Sequence, residues 1–79
     1  MKVWLLHHES YGEVSVFSEN TDMLEVPSVK RELDYLVEAE YDEEHGDFVN
    51  DYESAKRRGN GEATIEERIR LELVRVYNG

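Results

Sequence analysis

The sequence has no cysteine, so no disulfide can staple the fold, which fits a reducing, cytoplasmic location. One proline and five glycines in 79 residues leave no room for a flexible linker, and there is no internal repeat. The chain therefore reads as one small domain over residues 1–79. Long apolar runs are missing too. Val3-Trp4-Leu5-Leu6 is too short for the apolar part of a signal peptide and far too short to cross a bilayer. Basic residues are scarce. Nine Lys and Arg face nineteen Asp and Glu, for a formal net charge of −10. That sign opposes direct binding to nucleic acid or to an anionic membrane and favours a basic partner. Acidity that only keeps the protein soluble is the simpler explanation, and a halophilic source is a third.

What is present is unevenly placed. Residues 1–37 carry net −4, residues 38–53 carry −8 with no Lys or Arg, and residues 54–79 carry +2. A domain of this size buries only about 60–65% of its unfolded surface, so its core is thin and often needs a partner.

The clearest periodicity lies at Val29, Leu33, Leu36 and Val37, which share one helical face. It predicts a long helix from about Val29 to Glu44, opened by Pro27 and Ser28 and stopped at His45-Gly46. Glu40 falls at the rim of that stripe. Before it, Lys2–Glu9 and Glu13–Ser18 read as strands joined by a turn at Ser10-Tyr11-Gly12. Asn20-Thr21-Asp22 reads as a turn or capping site, with Met23 and Leu24 folding over the helix start. After it, Asp47–Arg58 gives a second, shorter helix, and Gly59-Asn60-Gly61 a turn. Ile65–Tyr77 fits either a helical face or a strand with a bulge near Val74. Its β-branched and aromatic residues favour the strand.

These elements predict an α+β domain, ββαβ, with three strands in the order 2-1-3 and the long helix on one face. One helix covers one face. Trp4, Leu6 and Phe17 are then expected on the uncovered face, where they would form a homodimer interface.

No catalytic signature is present. No serine sits in a Gly-x-Ser-x-Gly setting, and Lys56-Arg57-Arg58-Gly59-Asn60-Gly61 lacks the phosphate-loop frame. The calcium-loop pattern fails when Gly46 is set at its sixth position. His7 and His8 point to opposite faces of a strand, so only His7, Glu9 and a distant His45 could share a metal. Polar residues at a strand end explain that group better, and no metal or cofactor is expected. The acidic run remains. Glu40, Asp42, Glu43, Glu44, Asp47 and Asp51 are the candidate binding residues. Like charges spaced i,i+4 work against their own helix, which suggests a role for a partner. The competing explanation is that charge runs are usually solvated faces.

Met1-Lys2-Val3-Trp4-Leu5-Leu6-His7-His8 followed by Gly12-Glu13-Val14-Ser15-Val16-Phe17-Ser18 resembles small phage-encoded ββαβ proteins of uncharacterised function. The likeness covers the first quarter of the chain. It implies a phage or mobile-element origin and supplies no catalytic residues. Some small acidic phage proteins inhibit host defence nucleases, so the resemblance suggests, by analogy, an anti-CRISPR or anti-restriction inhibitor. The combined expectation is a non-enzymatic acidic protein that mimics nucleic acid and binds a basic, nucleic-acid-binding host protein. The alternative is a homodimeric interaction module without mimicry.

Overall fold

The computed structural model describes residues 1–77. Strands β1 (Lys2–His8) and β2 (Glu13–Ser18) form a hairpin, and a short 3₁₀ turn follows at Met23–Glu25. Helices α1 (Pro27–Glu38) and α2 (Asp42–Arg58) come next, then a second hairpin of β3 (Gly61–Ile65) and β4 (Ile69–Arg75). The fold is α+β, as expected. The expected three-stranded ββαβ core is not found: the sheet has four antiparallel strands in the order β2-β1-β4-β3, with two helices. The C-terminal strand does lie beside β1. Lys2 pairs with Arg75 and His8 with Ile69 in one unbroken register, so no bulge forms at Val74. The missing element was β3, hidden by a turn without glycine. Arg68 N–H donates to Ile65 C=O at 3.0 Å, and Glu67 takes φ 66° between them. That sign of φ is what type II turns require at their third position, where glycine is usual.

The long helix is broken where the sequence suggested continuity. Tyr41 N–H donates to Leu36 C=O at 2.8 Å and Glu40 N–H to Val37 C=O at 3.1 Å, with Glu40 at φ 62°. This is a Schellman stop with a glutamate where glycine is preferred. His45 and Gly46, read as the stop, lie inside α2 instead. At the other end of α1 the N-cap is Val26, with no side-chain cap, and Pro27 supplies the fixed φ of the first turn. The cap seen by sequence at Asp22 belongs to the 3₁₀ turn, where its carboxylate accepts from Leu24 N–H at 3.2 Å.

Breaking the helix lets both halves lie on one sheet face. Val29, Leu33 and Leu36 of α1 and Phe48, Tyr52 and Ala55 of α2 are buried against Trp4, Leu6, Ile69, Leu71 and Leu73. Register explains which face. Trp4 pairs with Leu73 and Leu6 with Leu71, while the opposite side of β4 shows Arg70 and Glu72. The Trp4 side is apolar across β1, β4 and β3, through Trp4, Leu6, Ile69, Leu71, Leu73, Ala63 and Ile65. The expected interface is therefore inverted: Trp4 and Leu6 are each 1% exposed in the core, and Phe17 packs against it. The face left open holds Val3, Leu5, Val14 and Val16 beside His7, Arg70 and Glu72. Gly61 allows the close approach of α2 to β3, since a Cβ there would lie 3.3 Å from Ala55 Cβ.

Candidate functional site

The helix break and the second hairpin together frame a cleft of about 780 Å³. Glu44, Asp47 and Asp51 of α2 line one wall. Their spacing of three and then four residues places them on one helical face, beside the stripe that buries Phe48 and Tyr52. Glu66 and Glu67 line the opposite wall from the β3–β4 turn. Tyr35 and Tyr41 close the end, in an edge-to-face contact with centroids 6.4 Å apart.

Arg68 is the cation of this lining, and it is already engaged. Its guanidinium pairs with Glu32 on α1 and lies 3.9 Å from the centroid of the Tyr35 ring. The hydrogen bond that Arg68 donates to the Glu32 carboxylate raises the Arg68 pKa above its ordinary value, so the group stays charged. Glu32, rather than the cleft, takes up that charge. Among the described residues no ion pair involves Glu44, Asp47, Asp51, Glu66 or Glu67.

Thus the structure gathers three of the six candidate carboxylates and adds two the sequence did not single out. Asp42 and Glu43 share the first turn of α2 with Glu44 but do not line the cleft, and Glu40 sits exposed in the interhelical link. Glu66, Glu67 and the two tyrosines were missed because they lie in a turn without turn residues and at a break without glycine. The metal-directed trio is not brought together. His7 Nε2 is 3.3 Å from Glu72 on the open sheet face, whereas His45 belongs to α2 on the other face. Among the described residues no group of three His, Cys, Asp or Glu could hold a metal ion.

The chemistry of the cleft is ionic. Pockets for small organic ligands are mostly apolar with a few polar groups. Here carboxylates predominate, the hydroxyls come from Thr64 and the tyrosines, and no histidine lines the site as a base. Carboxylates with aromatic rings suit an alkylammonium or guanidinium, which gains Coulomb attraction and a cation–π contact together. Among the described residues no helix is long and apolar enough to cross a membrane. No family model matches the chain, and no curated protein or solved structure matches it either.

Proposed function

We propose that this chain is a non-catalytic binding protein that receives basic side chains of a protein partner in the cleft between α2 and the β3–β4 turn. One observation carries the reading. Five carboxylates that make no ion pair among the described residues line one cleft, whose lining cation is already held by Glu32 and Tyr35. A purely solubilising surface needs no such convergence. The partner class that fits is a protein rich in exposed Lys and Arg, as nucleic-acid-binding proteins are. A basic groove made for phosphates attracts carboxylates through the same field. Inhibition of a host defence nuclease would be one use of this contact. The cleft is concave, however, so it favours taking in projecting Lys or Arg side chains over filling a groove.

The test uses a short Arg- and Lys-rich peptide, titrated into the intact protein and followed by amide chemical shifts. Shifts should map to Tyr41, Glu44, Asp47, Asp51 and the β3–β4 turn. Affinity should fall steeply with added salt, because exposed charges are screened beyond about 8 Å at physiological ionic strength. Changing Glu44→Gln, Asp47→Asn and Asp51→Asn together should remove the binding. If that variant binds as the parent does, the cleft is not the site.

A further inference from the structure

We infer that the outer edge of β2 is a self-association site, which pairs antiparallel with the same edge of a second copy of this chain. The direction of the backbone groups is fixed by the strand pairing. Glu9 N–H donates to Arg68 C=O at 3.0 Å and Val76 N–H to Met1 C=O at 2.8 Å. Odd-numbered residues of β1 therefore bond to β4, and even-numbered ones to β2. Since His8 pairs with Glu13 and Trp4 with Phe17, Glu13, Ser15 and Phe17 bond inward. Val14, Val16 and Ser18 then direct their N–H groups outward. The Ser18 carbonyl accepts from Thr21 N–H at 3.0 Å. Among the described residues no strand pairs with the outward N–H and C=O groups of Val14 and Val16.

Such an edge is a template for another strand unless it is guarded. The usual guards are lysine, proline, a bulge or a covering element. None is present along β2: the sequence is Glu-Val-Ser-Val-Phe-Ser and the pairing to β1 is continuous. The other edge differs. Its outward positions on β3 are Glu62 and Thr64, and Glu66 and Glu67 follow.

Self-complementarity about Ser15 fits a second copy as the occupant, and the low charge of β2 lets it approach. The chain carries −10, which opposes self-association almost anywhere on its surface. β2 is the exception, with Glu13 as its one charged residue, and it lies at the far side of the sheet from the acidic cleft. A two-fold axis perpendicular to the sheet can set Val14 beside the partner's Val16 and Ser15 beside the partner's Ser15. Glu13 then faces Phe17 of the partner subunit, and no like charges are opposed within the strand. Val14 and Val16, 50% and 64% exposed in the single chain, become cross-strand neighbours. Both copies keep their helices on the same face, and both clefts stay free. A basic partner with two docking segments would then be held bivalently.

The test is sedimentation velocity of the intact chain up to about 1 mM, a range that captures interfaces smaller than the standard size. The wild-type protein should shift from monomer to dimer, and the Val14, Val16 and Ser18 amides should gain exchange protection as concentration rises. Val16→Pro removes an N–H that makes no hydrogen bond within the chain, so it should weaken dimerisation at least about tenfold while Trp4 fluorescence stays native. Val16→Lys keeps the N–H but adds a guard, and it decides the matter if the proline variant fails to fold. A wild-type protein that stays monomeric throughout would overturn the inference. So would a dimer insensitive to Val16→Lys, or one that forms without protection of these amides.

Discussion

Tyr52→Phe should test whether one buried hydrogen bond ties the 3₁₀ turn to α2. Tyr52 is fully buried, and its hydroxyl accepts from Met23 N–H at 3.0 Å. Its ring lies 5.1 Å from Trp4, and Lys56 Nζ stands 5.1 Å from the ring centroid. Phenylalanine keeps the ring and these contacts and removes one oxygen. Met23, also fully buried, is then left with an amide lacking its acceptor. An unsatisfied buried donor costs about 1–3 kcal/mol, more than the net worth of the bond itself. For a domain of this size, each kcal/mol lowers Tm by about 4–8 °C. Urea denaturation followed by Trp4 fluorescence reads the loss directly, with an unchanged slope. A loss below about 0.5 kcal/mol, the range of neutral surface changes, would refute the reasoning.

The same residue gives a pH signature. Burial pushes the Tyr52 pKa above its ordinary 10.0, with the Met23 N–H and Lys56 pulling the other way. The folded protein therefore keeps this proton to higher pH than the unfolded chain does. The contribution is fully present below about pH 10, the unfolded tyrosine value, and is lost as pH rises toward the folded pKa. Subtracting the Tyr52→Phe stability curve from that of the wild type should leave a decline that begins near there.

Two further outcomes follow from the helix break and the α2 terminus. Glu40→Gly should stabilise the protein by roughly 0.5 kcal/mol, because relief of the left-handed conformation at φ 62° exceeds glycine's added unfolded-state entropy; thermal denaturation would show it, and a lower Tm would contradict it. Asp42→Asn with Glu43→Gln should destabilise α2 by about 0.5–2 kcal/mol at low salt and less at high salt, since both carboxylates face the positive end of the helix dipole; a stabilised variant would mean that like-charge repulsion dominates.

The first hairpin and the buried stripe of α1 were legible because local chemistry and tertiary demand agree there. Gly12 marks the turn, and Val29, Leu33 and Leu36 keep a helical period into the core. The rest hinged on two glutamates, Glu40 and Glu67, in the left-handed conformation that sequence rules reserve for glycine or asparagine. Tertiary packing overrides that preference at both. The first override splits one expected helix into two and moves the acidic run to a helix N-terminus. The second turns a stretch that alternates between helical and strand readings into a tight hairpin. The exposed face was misjudged for a related reason. With three strands and one helix, either face of β1 can be covered. With β4 in register, Leu71 and Leu73 decide for the Trp4 side.

The shift of the acidic run changes what its charges mean. At the end of a long helix, Asp42, Glu43 and Glu44 would repel one another and the helix's negative terminus, and binding would be the natural reason to keep them. In the first turn of α2 they have a structural reason, matched by Lys56, Arg57 and Arg58 in its last turn. Helix stability accounts for that pairing without any partner. It does not account for Asp47 and Asp51, which lie beyond the first turn, or for Glu66 and Glu67, which belong to another element. These four line the same cleft, and among the described residues its only lining cation is an arginine committed elsewhere. Binding through the cleft would therefore rest on the C-terminal part of the acidic run and on the turn opposite, not on the densest part of the run. Glu44 alone belongs to both accounts.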